Sequence, residues 1–130
     1  MEVDVAVLGG GPGGYTAAIR AAQLGAKVAC IEREPELGGT CLRVGCIPTK
    51  AWVQTAHALK EANETFAKIG VTVQGAALDF PATQKNKDTI VGGLVNGITG
   101  VVKANGITVV SGRGTFKDAG TIAVEGGEDV

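Results

Sequence analysis

Residues 3–32 decide the fold, and they read V-D-V-A-V-L-G-G-G-P-G-G-Y-T-A-A-I-R-A-A-Q-L-G-A-K-V-A-C-I-E. The apolar run 3–8 suits a strand in the middle of a parallel sheet. The alanine-rich segment 15–24 predicts a helix. Residues 27–31 predict a second strand, which Glu32 ends. A strand, a helix and a strand within about 30 residues predict a parallel α/β sheet.

A glycine-rich turn joins the first predicted strand to the helix, and Gly9, Gly11 and Gly14 match the spacing G-x-G-x-x-G. In nucleotide-binding units the first glycine allows a tight turn, and the second lets a pyrophosphate approach the backbone. The third lets the helix pack closely against the strand. The helix N-terminus attracts phosphates, and Glu32 can accept hydrogen bonds from a ribose diol. The unit therefore predicts a dinucleotide site. The competing interpretation is a glycine-rich turn that binds no ligand.

Residues 38–50 read G-G-T-C-L-R-V-G-C-I-P-T-K and hold two of the three cysteines. A disulfide needs Cα atoms within about 7 Å, whereas five residues of a regular helix rise roughly 7.5 Å. Cys41 and Cys46 can therefore pair only if the chain bends between them or if Cys41 precedes the helix. The glycines and Pro48 of this segment supply means to bend. A pair at a helix start would also have its thiolate stabilised by the helix dipole.

The cysteines alone leave a redox function and a structural role open, because intracellular cysteines are commonly free, buried or metal-bound. A metal site is not favoured. A closed zinc site needs four ligands, so the only other candidate soft ligands, Cys30 and His57, would both have to join the pair. The extra cysteines of an iron–sulfur run are missing. Cys30 is expected to be a small buried apolar residue in the second strand. His57 is expected to be a packing or surface residue on a helix.

Composition and charge limit the class of protein. The chain has 130 residues, which suffices for one domain with a core. Its 12 basic and 13 acidic residues nearly balance, so nothing suggests nucleic acid or an anionic membrane as a partner. No apolar run approaches the length of a membrane span, and the first residues do not resemble a signal peptide. We therefore expect a cytoplasmic protein, in which a disulfide is more often catalytic than structural.

The middle of the chain predicts two further helices. Residues 51–69 predict a helix that Gly70 ends, and residues 71–73 a short strand. Pro81 suits the first turn of the next helix, with Asp79 as its N-cap. Apolar residues at helical spacing on that helix should pack against the preceding helix or the sheet. These residues are Ile90, Val91, Leu94, Val95, Ile98, Val101 and Val102.

The last part of the chain predicts strands. The dipeptide 105–106, Asn-Gly, ends the second helix, and residues 107–110 predict a strand. Residues 111–114, Ser-Gly-Arg-Gly, are expected to bring the backbone close to a ligand. Residues 115–116 and 121–124 predict an antiparallel pair.

Taken together, these motifs resemble the pyridine nucleotide–disulfide oxidoreductases. The resemblance covers essentially the whole chain, and the two-cysteine segment is its most specific part. Arg43 stands where the family often has Asn, and Thr49 where Ser is common; neither departure touches the sulfur chemistry. The segments that carry the resemblance are 7–25, 31–32, 37–50, 66–70, 78–81 and 111–114.

The resemblance implies an α/β fold: a Rossmann-like, FAD-binding parallel sheet with inserted helices and a β-hairpin, incomplete at the C-terminus. Cys41 would exchange disulfides with the substrate, and Cys46 would contact the flavin. Lys50 would reach toward the flavin ring, and the Gly114 backbone would meet the adenine. No metal is implied. The residues implied at the cofactor are Gly9, Gly11, Gly13, Gly14, Glu32, Arg33, Gly39, Thr40, Lys50 and Gly114.

The resemblance also implies an activity, the oxidation of dihydrolipoamide by NAD⁺ through the Cys41–Cys46 disulfide and FAD. Residues 1–130 would be the N-terminal part of the FAD-binding domain, without the NAD-binding and dimerisation domains, and inactive alone. The implied partners are a small dithiol or a lipoyl domain, a second copy in a full-length homodimer, and 2-oxo acid dehydrogenase complexes. Alternatives are a glutathione or mercuric reductase-type sibling, a non-catalytic FAD- or nucleotide-binding module, and a nucleotide-binding domain with incidental cysteines.

Overall fold

A computed structural model describes all 130 residues. Three parallel strands form one sheet in the order β1-β2-β3, and two antiparallel strands form a separate hairpin. The α/β class, the parallel sheet and the hairpin are confirmed. The strands are β1 (Val5–Leu8), β2 (Val28–Glu32), β3 (Thr108–Ser111), β4 (Gly114–Asp118) and β5 (Thr121–Val124).

The strand β2 is the centre of the parallel sheet. Val5 of β1 lies opposite Val28, and Ala29 lies opposite Thr108 of β3. All five residues of β2 are buried, whereas Val5 and Leu8 of β1 are exposed. The expectation that the first strand suits the middle of the sheet was therefore wrong here, because β1 pairs on one side only.

The core has two parts, one on each face of β2. On one face, α1 (Pro12–Gln23) and α4 (Phe80–Ala104) pack over Val28 and Cys30 through Ala18 and Val102. On the other face, Ala29 and Ile31 pack against the hairpin and the last residue of the chain. Alternate side chains of a strand point to opposite faces, so β2 joins a helical layer to a hairpin layer.

The helical region after the second strand is divided. A short helix, α2 (Gly39–Arg43), precedes α3 (Cys46–Lys60). A π-helical turn, Glu61–Thr65, and a 3₁₀ turn, Phe66–Ile69, extend α3. The predicted helix 51–69 is thus confirmed, although it begins earlier, at Cys46. Gly70 ends it with a φ of 85°, as expected.

The segment between α3 and α4 contains one wrong prediction. Residues 71–73 form no strand. Val71 and Val73 are both exposed, and no strand lies beside them to complete a ladder. The predicted N-cap of α4 is confirmed, since Asp79 Oδ1 accepts a hydrogen bond of 2.9 Å from the Ala82 N–H.

The apolar stripe of α4 is only partly covered. Val95 and Val102 are buried, whereas Ile90, Leu94 and Val101 remain exposed. The expected packing of the stripe is therefore confirmed for Val95 and Val102 only. No helix of the protein combines the length and the hydropathy that a membrane crossing requires.

Candidate functional site: a glycine turn beside a disulfide

The turn between β1 and α1 has the geometry that the glycine spacing predicts. Gly9 has a φ of 101°, which L side chains rarely adopt. A Cβ on Gly14 would overlap the Gly9 carbonyl oxygen and lie 3.4 Å from Val7 Cγ1. Helix α1 begins after Gly11 without a side-chain cap and without an acidic residue in its first turn. Its first N–H groups therefore remain available to an anion.

Glu32 lies at the carboxyl end of β2 and is buried. Its Oε2 accepts a hydrogen bond of 2.7 Å from the Gly10 N–H, and its Oε1 accepts one of 3.0 Å from the Glu34 N–H. A carboxylate offers about four acceptor positions, so the two oxygens can still accept hydrogen bonds from a diol. The carboxylate therefore holds the turn in place while it keeps its capacity for a ligand.

The segment before the first cysteine packs directly on the glycine turn. The Gly38 N–H donates a hydrogen bond of 2.8 Å to the Gly10 carbonyl. Gly39 has a φ of 58°, and a Cβ there would lie 2.7 Å from Gly11 Cα. Thr40 follows at the surface. The structure thus brings the Gly39–Thr40 pair beside the turn that carries Gly11 and Gly13.

Cys41 and Cys46 form a disulfide, with their Cα atoms 4.6 Å apart. Of the two possibilities open from the sequence, the chain bends between them: Cys41 lies in α2, and Cys46 is the first residue of α3. The bend is at Gly45, whose φ and ψ are −121° and −98°. Gly45 provides no side-chain cap, so the N-terminus of α3 can stabilise negative charge on Cys46.

Three cavities surround these groups. The first, of about 210 Å³, is lined by Glu32, Arg33, Arg113, the turn residue Gly9 and Gly114 of β4, among others. The second, of about 380 Å³, continues from Glu32 to Thr40 and Arg43. The third, of about 400 Å³, is apolar and lined by Pro12, Tyr15, Cys41, Leu42, Ile47, Gly93, Leu94, Gly97 and Ile98.

A larger cavity, of about 530 Å³, lies between residues 1–4 and the hairpin. None of the predicted site residues lines it. We therefore place the site at the three smaller cavities, because they contain the buried carboxylate, the glycine turn and one sulfur of the disulfide.

The polar groups around these three cavities suit the adenosine and pyrophosphate of FAD. Glu32 has free acceptor positions for the ribose, and the uncapped start of α1 offers N–H donors to phosphate. At Gly114 a Cβ would lie 2.5 Å from Leu8 Cδ1 and within 3.2 Å of the Cγ2 atoms of Ile122 and Ile31. A larger residue beside the first cavity would therefore have to displace these side chains. The chemistry of these donors and acceptors matches that group.

Some predicted residues lie apart from these cavities. Lys50 is exposed on α3, one turn after Cys46, and lines none of the cavities described. His57 is exposed, as expected of a surface residue. No group of three or more His, Cys, Asp or Glu side chains is arranged to hold a metal ion.

Sequence reasoning missed two residues at the site. Gly10 is buried, its N–H binds Glu32, and a Cβ there would overlap Leu37. The extra glycine between the fingerprint positions was the available signal. Arg43 contacts two glutamates of the loop before α2. Its departure from the usual Asn was visible in the sequence, but its partners were not.

Cys30 is fully buried, as predicted. Burial raises the pKa of its thiol above the ordinary value of 9.0, and the charge of Glu32 raises that pKa further.

The raised pKa of Cys30 predicts how stability depends on pH. Above pH 9.0 the unfolded chain loses the Cys30 proton before the folded chain does, so the free energy of unfolding should fall as pH rises. We expect a Cys30→Ala variant to show a shallower fall. Urea denaturation from neutral pH to about pH 10.5, with reductant present, measures both slopes; equal slopes would contradict the expectation.

Comparison with known proteins agrees with this geometry. The family model described as "Pyridine nucleotide-disulphide oxidoreductase" matches residues 3–129. Dihydrolipoyl dehydrogenase 1, mitochondrial, of Arabidopsis thaliana is 48% identical over 95% of this chain and 24% of its own length. The Pisum sativum dihydrolipoyl dehydrogenase is 49% identical over 95% of this chain and 25% of its own length.

A third relative carries another name. Leghemoglobin reductase of Glycine max is 48% identical over 95% of this chain and 24% of its own length. The chain thus spans about a quarter of the length of the curated relatives that it matches. Since the family model covers nearly every residue, the resemblance inferred from the motifs is confirmed. The chain belongs to the pyridine nucleotide-disulphide oxidoreductase family.

Proposed function

We propose that residues 1–130 form the N-terminal part of an FAD-binding domain, in an enzyme that oxidises dihydrolipoamide with NAD⁺. The observation that carries this proposal is the Cys41–Cys46 disulfide, which directly follows the Gly38–Gly39 segment that packs on the glycine turn. The identity of 48–49% to proteins named dihydrolipoyl dehydrogenase supports the choice of substrate. Two expectations stay predictions: that NAD⁺ binding and proton transfer use residues outside these 130, and that residues 1–130 alone are inactive.

The disulfide can begin the reaction by thiol exchange. A substrate thiolate attacks the Cys41 sulfur, which forms a mixed disulfide while Cys46 leaves as a thiolate. The N-terminus of α3 favours this direction because it stabilises the negative charge on Cys46. The second substrate thiol then displaces Cys41. The products are the cyclic disulfide of the substrate and two reduced cysteines, so atoms and electrons balance.

The two cysteines have different surroundings, which supports different roles. Cys41 is half-buried and lines the apolar cavity beneath α4, which suits the hydrocarbon chain of a dithiol. Cys46 is exposed at the start of α3. FAD, when bound, supplies a two-electron acceptor between the dithiol and NAD⁺. Gly9, Gly11, Gly13, Gly14, Glu32, Arg33, Gly39, Thr40 and Gly114 would hold it, and Lys50 stays a predicted contact of its ring.

A Glu32→Ala variant should bind FAD less tightly. A hydrogen bond to a charged group contributes roughly 1.5–3 kcal/mol, so we expect the dissociation constant to rise by roughly 10- to 100-fold. Titration of the purified protein with FAD, followed by flavin fluorescence, measures this change. Glu64→Ala removes an exposed glutamate of the π-helical turn and is the matched control. Equal FAD affinity in the wild type and Glu32→Ala would contradict the role of Glu32.

Alternative substrates are separated by assay. A glutathione or mercuric reductase-type sibling would use oxidised glutathione or a mercuric ion in place of lipoamide. One relative is named leghemoglobin reductase at similar identity, so leghemoglobin belongs in the same set of assays. A full-length protein that binds FAD but turns over none of these would be a non-catalytic module, and the proposal would be wrong.

Partners and location belong to the same proposal. A lipoyl domain, a second copy in a homodimer and 2-oxo acid dehydrogenase complexes are the partners that fit such an enzyme. The cytoplasmic location stays a prediction that the relatives do not support, because those of Arabidopsis thaliana and Pisum sativum are named as mitochondrial. Cell fractionation measures the location directly.

A further inference from the structure

Arg43, the last residue of α2, contacts two carboxylates of the loop between β2 and α2. Its Nη1 lies 3.5 Å from Glu34 Oε2, and its Nε lies 3.7 Å from Glu36 Oε2. Only 20% of the Arg43 side chain is exposed, against 44% for Glu34 and 56% for Glu36. The guanidinium group therefore bridges the end of α2 and the loop.

This loop is itself fixed to the sheet. The Glu34 N–H donates to Glu32 Oε1, and Glu32 Oε2 accepts from the Gly10 N–H. Leu37, near the other end of the loop, is buried in the main core. Arg43 thus connects α2 to a segment that does not move independently of the glycine turn.

Packing against α1, α3 and α4 also holds α2 in place. A helix of five residues is too short to be stable by itself. Its anchors are the Cys41–Cys46 disulfide, the buried side chain of Leu42, and the hydrogen bond from Gly38 to Gly10. Reduction removes the one cross-link between the side chains of α2 and α3, so the ion pairs of Arg43 then make a larger relative contribution to holding α2.

We propose that Arg43 is a positioning residue that keeps α2, and with it Cys41, in place while the two cysteines are reduced. The proposal rests on the redox function of the disulfide given above. A tethered α2 has less freedom in the reduced state, so closing the ring costs less conformational entropy. Arg43 therefore shifts the thiol–disulfide equilibrium toward the disulfide.

The equilibrium with dithiothreitol measures this effect. In that reaction one protein disulfide and one dithiothreitol give two cysteine thiols and one cyclic disulfide. Two protons and two electrons move from the reagent to the protein. After acid quenching and alkylation of the denatured protein, mass spectrometry counts the reduced and oxidised forms. Denaturation also exposes Cys30, which serves as an internal standard because it forms no disulfide in the fold.

For Arg43→Gln we expect the equilibrium constant for reduction to rise about two- to fivefold, because partly exposed ion pairs contribute modestly. Arg43→Lys, which keeps the charge, should recover part of the difference. High salt should shrink it, since salt screens exposed charges. The matched control is Lys117→Gln, which removes a cation and its ion pair with Asp129 from the hairpin.

The outcomes separate this proposal from the proposed function. If wild type forms the Cys41–Cys46 disulfide but Arg43→Gln has the same equilibrium constant, the positioning role is wrong and the redox function stands. An equal rise in Lys117→Gln would also overturn the positioning role. If the wild type forms no such disulfide, the proposed redox function is wrong, and the positioning role, which rests on it, is wrong as well. Should Arg43→Gln not fold, Glu36→Gln removes one partner instead and is expected to give a smaller rise; no rise there would overturn the proposal.

Discussion

Cys41→Ser and Cys46→Ser are each expected to lose NAD-linked oxidation of dihydrolipoamide to the background of the assay. The two sulfurs form one disulfide across the bend at Gly45. A serine hydroxyl cannot form that bond, so neither variant can accept the two electrons of the substrate. Steady-state kinetics on the full-length enzyme measure the loss. If both variants kept turnover, the disulfide would not take part in the reaction.

Alkylation of the reduced protein should then separate the two roles. Cys46 is exposed at a helix start, and Cys41 is half-buried in the apolar cavity, so both should react when no FAD is present. We expect added FAD to slow the alkylation of Cys46 and to leave Cys41 reactive. Peptide mapping by mass spectrometry reads each site, and the buried Cys30 should stay unmodified. Protection of Cys41 alone would reverse the assignment.

Gly14→Ala is expected to destabilise the protein strongly, although it adds only one methyl group. Its Cβ would overlap the Gly9 carbonyl oxygen, and both backbones are fixed by the turn. Overpacking lowers the free energy of unfolding by roughly 1–3 kcal/mol, whereas the greater helix propensity of alanine raises it by only about 1 kcal/mol. Because a backbone oxygen cannot rotate away, we expect the loss to lie near the upper value and FAD binding to weaken with it.

The control for Gly14→Ala is the same substitution where space is open. Gly100 lies inside α4, and a Cβ there would have nothing within 4 Å. Gly100→Ala should therefore stabilise the protein by up to about 1 kcal/mol. Urea denaturation followed by circular dichroism measures both variants. Stabilisation by Gly14→Ala would show that α1 does not pack against the turn as closely as described.

The sequence predicted the elements whose causes are local. The βαβ unit, the cap at Asp79 and the helix end at Gly70 each depend on a few neighbouring residues, and each is confirmed. The steric need for Gly9 and Gly14 followed from the glycine spacing in the same way. The cofactor roles of Gly11 and Glu32 followed from the motif, and the other cofactor contacts followed from the family resemblance; all of them stay predictions.

The features that the sequence did not predict depend on distant parts of the chain. Residues 71–73 have the composition of a strand but no partner strand beside them. β1 is apolar enough for a central position, yet only β2 pairs with it. The ion pairs of Arg43 join segments whose relative position follows from the packing of Leu37 and Gly38 on the glycine turn. Periodicity along the chain contains none of this information.

The packing of Gly39 on Gly11 restricts how this protein can be recombined with its relatives. A Cβ on Gly39 would lie 2.7 Å from Gly11 Cα, so the two segments tolerate this contact only when both stay small. A chimera that takes the glycine turn from one parent and the two-cysteine segment from another must preserve that match. A crossover in the irregular segment after Gly70 leaves the match intact. The turn and the cysteine segment are therefore inherited best as one block.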